Sequence, residues 1–523
     1  MRFKDLTEED ILYIAEVHGS NDTWDSKMQR LTGRFGKSER TIRRWIKKLD
    51  LANYSRPVEE SPEFKKAKEK KIDGTKNVFF FTWAQSETPV HKKFFENLLA
   101  YAEYRNAGVH VIAGRYRNPT SLRSSKNVKK MEWWVDDVKP YLDANRHDPH
   151  PLLTILSDIK VQPTASNPLS GFDSVSDVKS SIIGHPKVHL KSQPVLEGHP
   201  FKILATTGAC TVPNYTDTKA GAKGEFHHTF GFIIAEIEDQ DTVHLRQVTA
   251  NLDGSFCDLD KRVSKGEIED LKKVGHIVLG DLHPHILDYN FYSVGILDFL
   301  DRFKPNHVVL HDVFDGHSIS HWHEQDPIKM WEKVQDGSNE LIPEIEHMKE
   351  IVRPLIKYSP IVVKSNHDDF LDRWVRRGDW KKDLANAEAY IDLVSAIMKK
   401  KAPKGLIAYE LNKEFGKDIR CLDRDESCII DGIELSNHGD KGINGARGSL
   451  NSYSKLNTKL TVGHSHSCGR LNGCIQVGTS SILRPDYAEG PSSWRHAHCI
   501  GHTDGKRQLI IFSRNYTYTT FND

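Results

Sequence analysis

The sequence is poor in cysteine, nearly free of net charge and without a long apolar run, and each shortage removes a class of protein. Seven cysteines in 523 residues, an odd number with no Cys-x-x-Cys pair, make neither a disulfide framework nor a zinc ribbon. Cys468, Cys474 and Cys499 stand near His496 and His498 in the chain and offer one set for a structural zinc; buried thiols are the simpler reading. No stretch reaches the roughly 18 to 20 consecutive apolar residues of a membrane span. The start, Met1-Arg2-Phe3-Lys4-Asp5, runs into an amphipathic pattern without an apolar signal core. A cytoplasmic protein with no membrane partner is therefore expected. The formal net charge of +1 means that any nucleic-acid affinity must come from local patches. No internal repeat or long low-complexity segment is visible.

What is present is a soluble, globular composition, 38% hydrophobic and 28% charged, in a chain too long for one ordinary core. Two or three domains are expected. The 27 histidines are many, and several fall where apolar runs end.

Residues 5–50 read as three short helices. Thr7 with Asp10 forms a capping box opening Glu8 to His18, and Asp22 to Leu31 carries Trp24, Met28 and Leu31 on one face. Ser38 caps a third helix with apolar Ile42, Trp45, Ile46 and Leu49 at helical spacing, and its other face holds Arg40, Arg43, Arg44, Lys47 and Lys48. From Lys27 to Lys48 there are nine Lys or Arg against one acid, Glu39. The turn Thr32-Gly33-Arg34-Phe35-Gly36-Lys37 before this basic helix resembles a helix-turn-helix unit over residues 1–53, with DNA as the partner and the third helix as reader. Small three-helix units also dock proteins, and a basic face is often simply solvated.

Residues 54–76, with Pro57, Pro62 and a Lys/Glu-rich run, read as a charged linker. From Asn77 a strand (Val78 to Phe81), a helix (His91 to Asn106) and a strand (Val109 to Ala113) open a mixed α/β domain over 77–265 whose role no motif identifies. Gly114 to Lys130 holds six Lys or Arg and no acid; it reads equally as a phosphate-tracking segment or a basic loop. Thr206, Thr207, Lys219, Lys223, His227 and His228 form a polar cluster in sequence without a motif.

From about Gly275 the rhythm becomes strand, loop, helix, strand, and the apolar runs end in ligand-type residues. They read Gly280-Asp281-Leu282-His283, His311-Asp312-Val313-Phe314-Asp315, Asn366-His367-Asp368, Asn437-His438-Gly439-Asp440 and Gly463-His464-Ser465-His466. In open α/β sheets the loops beyond strand carboxyl ends gather at one edge, so ligands distant in sequence can converge. Carboxylate, imidazole and amide oxygen without thiolate suit Mn²⁺, Fe or Zn²⁺, with the oxygen share favouring Mn²⁺ or Mg²⁺. There are too many ligands for one tetrahedral ion, whereas two divalent ions roughly 3.5–4 Å apart, bridged by one carboxylate, would use them all.

Asp-x-His, Asp-x-x-Asp, Asn-His-Asp, a lone His and Gly-His-x-His, in this order, resemble the calcineurin-like metallophosphoesterase superfamily over about residues 275–485. The resemblance implies an α/β sandwich of two β-sheets flanked by helices, placed at 270–523. It implies one metal on Asp281, His283, Asp312 and His466 and another on Asp312, Asn366, His438 and His464. It also implies in-line attack of an activated water on phosphorus, with His367 as the catalytic imidazole and Asp315 as the carboxylate that orients it. The sequence departs from the family where His311 and Ser365 stand in place of glycines, which bears on backbone geometry. His317, His321 and His323 are rivals to His438.

Fold alone does not choose the phosphoester. Asp315-Gly316-His317 and Asn-His-Asp differ from the Arg-Gly and Asn-His-Glu of the superfamily's protein phosphatases. The basic N-terminal unit and two insertions, His317 to Pro343 with Trp322 and Trp331 and Phe370 to Lys400 with Arg373, Arg376, Arg377, Lys381 and Lys382, lean towards DNA. The expectation is a metal-dependent DNA nuclease of low sequence specificity, with Mn²⁺ favoured. The architecture looks similar to the pre-early nucleases with which some tailed bacteriophages degrade host DNA, which would place the enzyme in the host cytoplasm. A phosphodiesterase or phosphatase acting on small nucleotides or proteins, and a DNA-binding regulator with a scaffold phosphoesterase domain, are the alternatives. A homo-oligomer is compatible with all three.

Overall fold

A computed structural model describes residues 3–19, 23–49, 60–116, 118, 132–378 and 380–521; of the basic stretch Gly114 to Lys130, positions 117 and 119–130 lie outside them. The chain divides into two compact units, Met1–Ser61 and Pro62–Asp523.

The smaller unit has three main helices, Glu8–Gly19, Trp24–Phe35 and Glu39–Lys48. Thr7 Oγ1 accepts from the Asp10 amide at 3.2 Å while the Thr7 amide donates to Asp10 Oδ2 at 3.2 Å, the reciprocal cap that opens the first helix. The second helix runs further than its sequence pattern indicates. Gly33 stays helical, Phe35 packs edge-on against Trp45 at 5.7 Å, and the chain turns only at Gly36, whose φ of 57° ends the helix in the left-handed region. Met28, Leu31, Phe35, Ile42 and Trp45 form one core with Ile14 and Val17. Trp24 does not share it: its ring stays 39% exposed beneath the Arg43 guanidinium, 5.2 Å away.

In the larger unit, part of the charged stretch 54–76 is packed rather than extended. Pro62–Lys68 is a helix with Phe64 and Ala67 buried, and Phe64 stacks on Trp134 at 5.9 Å. Four sheets follow among the described residues. Five strands are ordered Val243–Thr249, Gly231–Ile237, Val78–Gln85, Gly108–Gly114, Leu142–Asp143, and Phe256–Asp258, Lys261–Ser264 and Glu267–Asp270 make a three-stranded ribbon. Six strands are ordered Arg420–Cys421, Pro360–Val362, His307–Leu310, His276–Val278, Ala497–Gly501, Arg507–Ile511, the first four parallel. Ten strands are ordered Ile429–Ile430, Ile433–Glu434, Leu460–Val462, Cys474–Gln476, Gly469–Leu471, Leu190–Gln193, Lys202–Thr206, Ser180–Ile183, Leu153–Leu156, Arg146–His150. Strands from before and after residues 265–270 thus share this last sheet.

Side chains alternate along a strand, and the short apolar runs are buried on both faces. Val278, Val309, Ile361 and Leu509 of the six-stranded sheet share a core with Ile433, Ile475 and Val477 on the ten-stranded sheet's side. Ile277, Val308, Leu310 and Val362 face the other way, onto Phe291, Ile296, Phe299 and Met348 of the helical layer. The six-stranded sheet is therefore clamped between a second sheet and a layer of helices, which holds its strand ends rigid.

A buried ion network ties the five-stranded sheet to the rest. Arg246 donates to Asp258 at 2.7 and 2.8 Å and meets Glu236 at 2.7 Å, and Gln508 of the six-stranded sheet donates to the same Asp258 at 2.7 Å. Removing one member leaves an uncompensated buried charge. Arg246→Leu is expected to cost about 3–5 kcal/mol, measured as loss of stability in denaturant unfolding.

Candidate metal centre

The ligand-type residues sit where strands of the six- and ten-stranded sheets end. Asp281 and His283 follow the His276–Val278 strand, Asp312 the His307–Leu310 strand, Asn366 and His367 the Pro360–Val362 strand, and His464 and His466 the Leu460–Val462 strand. The turns are sharp: His283, Asp312, His464 and His466 have φ of 48°, 45°, 75° and 58°, a region that L residues other than glycine avoid. Gly463 is required by proximity, since a Cβ there would lie 2.1 Å from Asp281 Oδ1.

These turns bring Asp281, His283, Asp312 and His466 together, all buried, with one potential ligand atom of each within 4.8 Å of the others. His283 Nε2 faces His466 Nε2 at 2.9 Å, and His466 Nε2 lies 3.4 Å from Asp281 Oδ2. Asp312 Oδ2 is shared, standing 3.3 Å from His283 Nε2 and 3.3 Å from His438 Nε2. Asp281 also groups with His311 and His438, and Asp281 Oδ2 accepts from the His464 amide at 2.6 Å. The His464 ring lies farther out, its centroid 5.1 Å from that of His438. Among the described residues, none of His317, His321 or His323 joins a metal-type group. His317 stacks on His285 at 3.7 Å, and His321 packs edge-on against Phe370 at 5.5 Å.

Around this set Asp315 uses its carboxylate on the first loop, accepting from His283 Nδ1 at 2.7 Å and from the His285 amide at 2.6 Å. His367 meets Asp315 through the main chain instead, its Nδ1 lying 3.1 Å from the Asp315 carbonyl oxygen. His311, which in the sequence looks only like an exception to a glycine, is buried with its Nδ1 3.4 Å from His438 Nδ1. Its one sequence signal is a histidine directly before Asp312.

The donor set fits divalent cations. Asp281 Oδ1, Asp312 Oδ1, Asn366 Oδ1, His438 Nε2 and His466 Nδ1 are buried without a hydrogen-bond partner. Such atoms are costly to leave unpaired, and two imidazole nitrogens facing each other favour a shared cation. A separate group, His110, Asp143 and His147, is already satisfied, because Asp143 accepts from the two rings at 2.6 and 2.8 Å. All seven cysteines are buried and free, and no metal-type group among the described residues contains one.

No known family model matches the chain. It is 30% identical over 459 residues to Protein A1 of Escherichia phage T5, covering 83% of this chain and 81% of that protein. The chain belongs to the phage A1 family. The 459 aligned residues exceed the 254 from position 270 to 523, so the likeness to A1 extends beyond the metal-bearing half. No helix among the described residues is long and apolar enough to cross a membrane.

The electrostatics of this A1-family centre show what a cation would have to displace. Burial lifts the Asp281 carboxyl to about 7 against the pull of the His438 charge. Burial also disfavours charge on His438, but the Asp312 carboxylate, with Asp281 and Asp440 adding to its pull, lifts the ring to about 9. Asp312 and Asp315 do the same for His283, holding it well above ordinary histidine. His464 is pushed down to about 4 by burial and by the His438 charge, so it is already neutral. Metal binding must therefore expel protons. Because His438 and Asp281 lose theirs as pH rises through about 9 and about 7, affinity for Mn²⁺ is expected to rise from pH 6 to pH 9 with net proton release. Isothermal titration in buffers of different ionisation enthalpy measures both; a flat affinity and no proton release would contradict this assignment.

Proposed function

We propose that the chain is a two-metal-dependent DNA nuclease that hydrolyses backbone phosphodiester bonds with low sequence specificity, built on the calcineurin-like metallophosphoesterase plan. The observation that carries the reading is the shared position of Asp312. One of its carboxylate oxygens stands 3.3 Å from His283 and 3.3 Å from His438, while the other has no partner. That position suits a carboxylate shared between two ligand sets, Asp281, His283 and His466 on one side and Asn366, His438 and His464 on the other. The two sheets sharing one core, with helices on the outer face, support the same plan.

Divalent ions in such a site, Mn²⁺ by preference, supply an activated water and neutralise charge on the phosphoryl oxygens. The chain's own residues do the rest. Asp315 accepts from His283 Nδ1 and so presents Nε2 to Asp312. His367, its Nδ1–H engaged at the Asp315 carbonyl, keeps Nε2 for the departing oxygen, which it stabilises or protonates when the ring enters the reaction as the imidazolium with a proton on both nitrogens. The helix that begins at the next residue, Asp368–Arg377, exposes Arg373, Arg376 and Arg377 and suits the neighbouring phosphates of a polymer. Exposed Trp322 and Trp331 on the preceding insertion offer faces on which bases stack.

DNA as the substrate draws on the smaller unit. Ile42 and Trp45 of its third helix are buried, while Arg40, Arg43, Arg44, Lys47 and Lys48 are all exposed. Within ion pairs between described residues, Arg43 alone of the five meets an acid, Glu39. Lysines and arginines so placed take phosphate contacts. A phage relative fits action in the cytoplasm of an infected host.

Supercoiled plasmid, linear duplex and single-stranded DNA incubated with Mn²⁺, Mg²⁺ or chelator test the proposal. Cleavage is expected with Mn²⁺ and not with chelator, and His367→Ala is expected to slow it about 10²- to 10⁴-fold. Rapid hydrolysis of small diesters with plasmid left intact would refute the nuclease reading. Replacing Arg43 and Arg44 by Ala is expected to weaken DNA binding and flatten its salt dependence, by about one unit of log–log slope for each phosphate no longer neutralised.

A further inference from the structure

The ten-stranded sheet reads the same from both ends. Outward from its middle pair, Gly469–Leu471 and Leu190–Gln193, the pairings run antiparallel, parallel, parallel, antiparallel on each side, and the middle pair is itself antiparallel. Each half also threads its five strands in one order: first, second, third, fifth, fourth. The other two large sheets agree. In each, a strand (Val78–Gln85 or His276–Val278) pairs in parallel with the next (Gly108–Gly114 or His307–Leu310) and antiparallel with a late strand (Gly231–Ile237 or Ala497–Gly501), which pairs antiparallel with the last.

The match extends to single residues. Parallel bridges join Asp281 to Thr479 and Thr479 to His496; the same bridges join Trp83 to Ala209 and Ala209 to Phe230. The Ser480 amide donates to the Asp281 carbonyl at 2.7 Å, and the Cys210 amide to that of Trp83 at 2.8 Å. The Asp288 amide donates to the Ser480 carbonyl at 3.1 Å and its side chain caps a helix at Phe291, as the His91 amide donates to the Cys210 carbonyl at 2.8 Å and its ring caps a helix at Phe94. The Val477 amide donates to the Val462 carbonyl at 2.9 Å, and that of Thr207 to Ile183 at 3.2 Å, which sets Gly463-His464-Ser465-His466 on Gly184-His185-Pro186-Lys187.

In this register His185 keeps the place of His464, its two ring nitrogens engaged by the Lys187 amide and the Gln162 carbonyl at 3.0 and 3.2 Å, but the ligand set around Asp281 is gone. Trp83 stands for Asp281, Lys187 for His466, and the stretch Gly108 to Tyr116, which matches the strand leading to Asp312, contains no acid. Apolar side chains fill the space: a Cβ on Gly114 would lie 2.1 Å from the Trp83 ring, and one on Gly184 2.5 Å from Ile112 and 3.0 Å from the indole. Gly184 thus leaves room for Ile112 and Trp83 together, as Gly463 leaves room for Asp281.

The junction of the two sets lies directly behind a ligand loop. Ser192 Oγ donates to the Cys468 carbonyl at 2.8 Å, and His189 Nε2 lies 3.2 Å from Asn472 Oδ1. Arg495 donates from its amide to the His466 carbonyl at 3.0 Å and from Nη2 to the Gln193 carbonyl at 3.3 Å.

We propose that residues 78–249 are a second, metal-free copy of the unit formed by residues 276–511, retained as the brace of the loop that presents His464 and His466. Ser192 is a positioning residue in this arrangement, acting on the ligands through Cys468.

The test is Mn²⁺ binding by the full chain, measured by equilibrium dialysis and calorimetry, and so independent of what the centre hydrolyses. The chain carrying Asp281→Ala, Asp312→Ala and His438→Ala together, which strips carboxylate or imidazole from both ligand sets, is expected to retain no tight Mn²⁺. A tight site persisting there would place metal in the first copy and overturn the proposal. Ser192→Val is expected to weaken Mn²⁺ affinity about tenfold, in the range seen for groups that orient ligands, with an unchanged circular dichroism spectrum, and Ser192→Thr to restore it. Natural affinity in folded Ser192→Val overturns the brace. If that variant does not fold, Asn472→Gly, which removes the contact with His189 while glycine accepts the φ of 53° at this position, is expected to weaken binding about tenfold, and unchanged affinity there is equally decisive. A natural protein that binds no Mn²⁺ would remove the centre and the proposal together.

Discussion

Two carboxylates taken fully out of water, Asp281 and Asp312, govern the geometry around them. An ionised carboxylate is held in a protein interior only when cations or donors surround it, and here the cations are supplied by His283 and His438 at the ends of other strands. Bringing those rings close demands backbone that leaves each strand at once. The left-handed conformations at His283, Asp312, His464 and His466 cost of order 1–3 kcal/mol each and persist only where the surroundings over-determine them. The surroundings are the two cores on either face of the six-stranded sheet, which leave its strand ends no freedom to relax.

Much of this is legible in the sequence, because a ligand at a strand end must keep both its chemistry and its neighbours. Apolar runs followed by Asp281, Asp312, Asn366, His438 and Gly463-His464 mark strands, and the parallel β-α-β start at Val78 to Ala113 is equally plain. Other features are invisible there for physical reasons. His311 carries no spacing signal of its own; only the fold turns it towards His438. Asp315 stands near His367 in the folded chain, as the motif order implies, but its carboxylate goes to His283 and its main-chain oxygen to His367, and backbone acceptors leave no mark in a sequence. Gly33 and the Pro62–Lys68 segment show the other limit. A weak helix former or a charged stretch becomes ordered when one aromatic neighbour, Phe35 or Phe64, finds a partner ring.

The repeated arrangement of strands is hidden for a related reason. What two copies of a fold must share is the order of strands and the alternation of buried side chains, and many residues satisfy both. What would expose them is the set of metal ligands, and a copy that has lost its metal has no reason to keep them. Trp83 and Asp281 could hardly be less alike, yet each lies in space that a glycine leaves open, Gly114 for the indole and Gly463 for the carboxylate. Division of the chain near residue 265 follows naturally from reading motifs, since motifs are present on one side only.

The shared sheet explains why such a copy is worth its length. Gly469–Leu471 is only three residues long, begins three residues after His466, and has a neighbour on one side in Cys474–Gln476. Without Leu190–Gln193 on the other side it would be a short edge strand, with unpaired amides and carbonyls and little resistance to fraying. Fraying there would loosen the loop in which His464 and His466 already hold unfavourable backbone angles. Pairing with a second copy closes that edge by the same backbone hydrogen bonds that order the rest of the sheet, so rigidity at the metal centre is a consequence of topology more than of any one contact.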